Sequence, residues 1–348
     1  MMPQTELMKR TGCLTRVGQM ALIIAIVVSV ALLAGAFYQQ SAMARDRSTY
    51  VSDNDLVAVN GIEMHLRCTG EGSPTVVFES GAGTPSLNWW EIQEAVSQDV
   101  RACVYDRQNI GWSAYTGATP TSELTANTLH TLLTNAGESA PYILVGHSLG
   151  GVYVRAYTAQ YHEDIVGMVL IDSSHEQQQA RMPQAYATWA GAEQPILNLC
   201  RLLAPTGVLR ILNVGAESTQ FTADAPVYDE EIAIFNQSHF CAGVRADLAG
   251  ITNLNAATGP DSLGELPLVV LTAGAQQADN LEAFPADFSL EMLQQADRMW
   301  LELQEELAAL SNNSEWIVVE DVTHYIHLDQ PQVVISAIRN ILTQVTVS

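Results

Sequence analysis

Residues 17–38 run without a charged side chain, about the 20 residues that a bilayer-spanning helix requires. The apolar positions there fall on every face rather than along one stripe, which separates the segment from an amphipathic core helix. The polar residues that follow predict a short stalk over 39–55. Then apolar runs begin to alternate with helical patterns. Residues 56–59 and 62–66 flank Asn60-Gly61, the dipeptide that most readily supplies the positive φ angles of a two-residue hairpin turn. Runs at 75–78, 100–105, 142–145 and 165–171 are rich in β-branched residues and almost continuously apolar, as strands buried on both faces are. Between them, 86–98, 122–136 and 151–161 are long enough for helices, and this order predicts an α/β fold with a parallel sheet.

From about 176 to 262 the strand pattern lapses into a helix-leaning, loop-rich stretch with Trp189, Phe221, Phe235 and Phe240, read as an inserted cap. The sheet resumes at 268–271, with a helix near 290–310, a strand at 316–319 and a closing helix at 332–342. A catalytic histidine is expected after that last strand.

Gly146-His147-Ser148-Leu149-Gly150 follows a predicted strand and precedes a predicted helix, the context that turns a Gly-x-Ser-x-Gly pattern into a nucleophile elbow. Side chains at 146 or 150 would collide with the adjacent strand or helix. The helix start places its partial positive charge and the N–H of Leu149 where an oxyanion would develop. The small residues Ser80-Gly81-Ala82-Gly83 after the third strand offer a second donor, the N–H of Ala82.

With these residues in place the chain resembles the α/β-hydrolase superfamily over 56–342 apart from the cap. The resemblance implies a mostly parallel eight-stranded sheet flanked by helices, and a Ser-His-Asp triad. His324-Tyr325-Ile326-His327-Leu328-Asp329-Gln330-Pro331 resembles the family's late His-x(4)-acid-x-Pro loop, which selects His324 as general base over His327. Tyr105-Asp106-Arg107 and Gly111-Trp112-Ser113 resemble a loop that is chiefly structural in such enzymes, so Asp106 and Arg107 are left outside the site. The acid departs from the common pattern, because Gln277 stands where an Asp usually follows the seventh strand. Asp172, at the end of the sixth strand, is preferred for its place on the face where active sites of open parallel sheets collect; Asp279 is the alternative. The implied reaction is two-step acyl transfer from an ester or related acyl substrate to water. An acyltransferase of the same fold, or a membrane-tethered binding protein with weak turnover, are the rival readings.

Composition and charge narrow this picture further. The chain carries a formal charge of -23 and a single lysine, Lys9, which leaves little cationic surface for phosphates, so nucleic acid is not expected as a partner. No His or Cys spacing suggests a metal site, and the chemistry needs no cofactor. Lys9, Arg10 and Arg16 precede the apolar run, so residues 1–16 are expected in the cytoplasm, 17–38 as an uncleaved anchor, and 56–348 beyond the membrane. Ala42-Met43-Ala44 resembles a signal-peptidase site; cleavage there would make the protein secreted. Cys68, Cys103, Cys200 and Cys241 then form an even, exported set. Of the three possible pairings, Cys68–Cys103 with Cys200–Cys241 is preferred, since Cys68 and Cys103 fall on strands of the same early sheet region.

Overall fold

The computed structural model describes residues 4–190, 195–252, 254, 259–274 and 277–347. Eight strands, β1 (Leu56–Val59), β2 (Ile62–Thr69), β3 (Thr75–Glu79), β4 (Ala102–Tyr105), β5 (Tyr142–His147), β6 (Ile165–Ile171), β7 (Leu268–Ala273) and β8 (Ser314–Val319), form one sheet. Their order is β1-β2-β4-β3-β5-β6-β7-β8. The pairs β1/β2 and β2/β4 are antiparallel, and β4, β3, β5, β6, β7 and β8 run parallel to one another.

Helices cover both faces, which is why the central strands are apolar at successive positions rather than alternate ones. Val76, Phe78, Val104 and Val145 face one layer with α2 (Trp90–Val96) and α14 (Pro331–Val347). Val77, Cys103 and Leu144 face the other, with α3 (Ser122–Ala136) and α4 (Leu149–Gln160). The N–H of Leu124 donates to the Thr121 hydroxyl at one end of α3, and Gly137 closes the other at φ 78°, as the capping preferences of these residue types predict.

Between β6 and β7 the cap is built from α5 (Gln178–Arg181), α6 (Gln184–Ala190), α7 (Pro195–Leu203), α8 (Val208–Ile211), α9 (Val214–Ser218), α10 (Tyr228–Phe235) and α11 (Phe240–Thr252). The helix α12 (Leu290–Ala308) and the short α13 (Ile326–Asp329) complete the set. Cys68 and Cys103 face each other across β2 and β4 and are joined in a disulfide, and Cys200–Cys241 ties α7 to α11.

The N-terminal part differs from the expected free stalk. One helix, α1 (Gln4–Tyr50), runs through the apolar stretch and on to Tyr50. No glycine or proline interrupts residues 36–50, so nothing breaks the helix. Its later turns pack against the cap: Gln39 and Ala42 are buried, Gln39 Nε2 donates to the Asn236 carbonyl at 2.6 Å, and Arg210 pairs with Asp46 at 2.6 Å.

Candidate active site

β5 ends at His147, and the chain turns at Ser148 with φ 52° and ψ −123° before entering α4. A non-glycine residue at such angles is strained by about 1–3 kcal/mol and persists only where its surroundings fix it. Here the Ser148 N–H donates to the Ile171 carbonyl at 3.1 Å, while its own carbonyl accepts from Gly151 at 3.0 Å and Ser174 at 2.9 Å. The turn presses α4 onto the strands. A Cβ at Gly146 would lie 2.8 Å from Gly151 Cα, and one at Gly150 would lie 2.6 Å from the Ser80 carbonyl oxygen.

Asp172 follows β6 at φ 39°. Its Oδ2 lies 2.6 Å from His324 Nδ1, and its Oδ1 accepts from Trp300 Nε1 at 2.8 Å and the Ala273 N–H at 3.1 Å. The carboxylate is only 5% exposed, and these donors supply what burial takes away in hydration. His324 is half-buried in the loop between β8 and α13. Asp329 fixes that loop by accepting from the N–H and the hydroxyl of Thr323, each at 2.6 Å. The alternative acid, Asp279, is exposed on the turn Gln277–Ala283. Asp297 on α12 holds that turn by accepting from the N–H groups of Gln277 and Ala278. The geometry therefore brings Asp172, not Asp279, to His324.

Two further histidines lie behind His324. His147 Nε2 is 2.9 Å from the His324 carbonyl; a carbonyl can only accept, so this nitrogen carries the proton. His327 stacks on Trp89 with centroids 4.6 Å apart. Burial, reinforced by the neighbouring imidazoles, holds His147 well below the usual histidine range and pushes His327 down to about 3. Both are neutral at pH 7.

The Ser80–Gly83 loop lies against the elbow, since a Cβ at Gly81 would be 3.3 Å from Ser148 Cβ. Arg107 grips this loop, donating from Nη1 to the Ser80 carbonyl at 2.5 Å and from Nη2 to the Gly81 carbonyl at 2.6 Å. In a trans peptide the C=O and the following N–H point in opposite directions. Holding the Gly81 carbonyl therefore aims the Ala82 N–H away from Arg107. Arg107 is buried between Glu79 and Asp247. Burial alone would make it easier to deprotonate, but those two carboxylates more than offset this and raise its pKa well above the ordinary value. Burial raises the Glu79 carboxyl, whose partners are Arg107 and the Tyr105 hydroxyl. Asp247 lies on α11 and also accepts from the Gly83 N–H at 2.7 Å, so the cap grips the same loop. The sequence alone places Arg107 in a chiefly structural loop; its contacts with the Ser80 and Gly81 carbonyls tie it to the site. Asp106 is structural, paired with His65 at 2.9 Å and accepting from the N–H groups of Ser86 and Trp112.

Ser148, Asp172 and His324 line one cavity of about 520 Å³. Tyr186 and Trp189 of α6 and Trp300 and Trp316 give it aromatic walls; Asp297 and Glu320 add carboxylates. Among the described lining residues there is no lysine or arginine. The described residues hold one grouping with donor atoms close enough to share a cation, Cys68, Cys103 and Glu138, but its two sulfurs are bonded to each other.

Residues 76–337 match the family model for the alpha/beta hydrolase family. The uncharacterized protein YqjL of Bacillus subtilis is 26% identical over 285 residues, 81% of this chain and 89% of that one. An esterase from Thermogutta terrifontis superposes with a TM-score of 0.54 at 20% identity, covering 83% of this chain and 98% of its own. The enol-lactonase from Burkholderia xenovorans gives 0.55 at 20% identity, with 83% and 99% covered.

Proposed function

The chain belongs to the alpha/beta hydrolase family, and from that premise we propose that it is a serine hydrolase cleaving carboxylic esters or related acyl bonds. The observation that carries this reading is the hydrogen bond of His324 to Asp172 in the cavity that Ser148 also lines. His324 Nε2 takes the proton of Ser148 Oγ as the oxygen attacks the acyl carbon. The N–H groups of Leu149 and Ala82 receive the oxyanion. The C–O bond to the leaving alcohol then breaks, and that alcohol takes the proton back from His324. Water, deprotonated in turn by His324, attacks the acyl-enzyme and frees the acid and Ser148. Asp172 keeps the imidazole in the tautomer whose Nε2 is free to accept. Neither a metal nor a cofactor enters these steps.

A carboxylate-lined cavity without a lysine or arginine among its described lining residues suits neutral or cationic acyl esters. The apolar part of α1, the basic residues before it and the two disulfides support a membrane-anchored protein whose hydrolase domain lies outside the cytoplasm. Labelling with a fluorophosphonate and hydrolysis of p-nitrophenyl acetate test the enzymatic reading. Ser148→Ala abolishes the label and lowers kcat by roughly 10⁴–10⁶ with the fold intact. A variant that keeps wild-type esterase activity would overturn the assignment.

A further inference from the structure

Part of the cap surface is apolar without being covered. On α7, Ile196, Leu199 and Leu202 share one face by their spacing of three, and Leu202 is 68% exposed. Ile211, Leu212 and Val214, around the end of α8 and the start of α9, are exposed too. Patches of this kind on a folded surface mark a site of interaction.

The chain's charge distribution singles out the same stretch. Residues 195–216 contain Arg201 and Arg210 and no Asp or Glu, in a chain with 38 acidic residues.

The connection between α7 and α8 touches α1. A Cβ at Gly207 would lie 2.9 Å from the Gly35 carbonyl oxygen and 3.2 Å from Tyr38 Cδ1, and one at Gly35 would collide with the Thr206 carbonyl oxygen. Gly35 precedes Tyr38, the end of the apolar run, by three residues, or roughly 5 Å along a helix. The cap therefore meets α1 just inside the end of its apolar stretch, where Leu33 and Phe37 are themselves exposed. The Arg210–Asp46 pair holds α8 to α1, and the Gln39–Asn236 bond holds the end of α10 beside it.

We propose that the face formed by α7, α8 and the start of α9 is a membrane-docking surface, seated in the lipid interface beside the emerging α1. This rests on the reading of α1 as a bilayer anchor. The leucines and isoleucines reach the acyl boundary, and the exposed Arg201 reaches lipid phosphates along its aliphatic stem. A patch beside the apolar run of α1, with no acidic residue from 195 to 216 in an acidic protein, fits lipid better than a protein partner.

The test uses the full chain reconstituted in phosphatidylcholine vesicles that contain a lipid with a diazirine in its acyl chain. Photolysis followed by peptide mapping should place lipid adducts on residues 17–38 and also on peptides containing Ile196–Leu202 and Ile211–Val214. Leu199→Gln with Leu202→Gln and Leu212→Gln should lose the cap adducts and keep those of α1, with an unchanged thermal midpoint. Adducts on 17–38 alone would overturn the docking surface and leave the anchor standing. Adducts on neither would overturn the anchor, and the docking surface with it. Loss of the cap adducts as the protein-to-lipid ratio rises, with those on 17–38 kept, would give the patch to a second copy of the chain and overturn lipid as its occupant.

Discussion

With Oδ2 bonded to His324 and Oδ1 to Trp300 and Ala273, the Asp172 carboxylate has no rotamer to spare. An amide there must turn its NH₂ toward an indole N–H or an imidazole N–H. Asp172→Asn should therefore lower kcat by about 10⁴, whereas Asp279→Asn keeps the wild-type value; steady-state ester hydrolysis separates the two. The neutral His327 leads to a pH effect. Above the ordinary histidine pKa of about 6.5 both folded and unfolded forms are neutral, and stability is at its full value. As pH falls from there toward 3, the unfolded chain takes up a proton that the native state refuses, so stability falls. His147 acts in the same direction. His327→Gln should flatten the dependence of unfolding free energy on pH between 7 and 5, measured by urea titration; an unchanged slope would refute the buried, neutral assignment. Ser148 and His324 were legible because each carries a short pattern in its own loop. The acid was less so, since the choice depends on which loop turns toward the histidine, and Trp300 reaches Asp172 from 128 positions away.

At the scale of elements, α11 is coupled to the Ser80–Gly83 loop through one carboxylate. Asp247 accepts from Gly83 and pairs with Arg107, which in turn holds the Ser80 and Gly81 carbonyls. Asp247→Asn should lower kcat by roughly 10-fold with little change in KM, below the ~10²–10³ that removing an oxyanion donor costs. Equal loss with short and long acyl esters would separate this role from one in substrate binding. All eight strands were legible, the central ones as apolar runs buried on both faces, β1 and β2 through the Asn60-Gly61 turn between them, and β8 as a short apolar run at 316–319. The helix extending to Tyr50 was not, because polar residues in a row read alike whether a helix carries them or a linker does. The short cap helices were also opaque in detail: elements such as Gln178–Arg181 and Val208–Ile211 hold barely one turn, too little for a 3.6-residue period to show.

For the molecule as a whole, charge sets a substrate expectation. The cavity holds Asp172, Asp297 and Glu320 without a facing cation among its described residues, and the chain around it is strongly acidic. A neutral ester should exceed a matched ester with an acyl-chain carboxylate in kcat/KM by at least about fivefold. One like-charge contact at about 4 Å costs between about 1 and 4 kcal/mol, and added salt should narrow the gap. Equal rates for the two would show that the cavity carboxylates do not face substrate.

The Cys68–Cys103 bond also decides how the molecule responds to force. A pull applied through α1 enters the sheet at β1, its edge strand, and peels that hairpin open one residue pair at a time. The tear stops at Cys68, because β2 is covalently fixed to β4 there. At most residues 51–68 can pay out, roughly 60 Å of slack. Beyond that stop the bond passes the load to β4, so the hairpin yields before the parallel strands that carry Ser148 and Asp172.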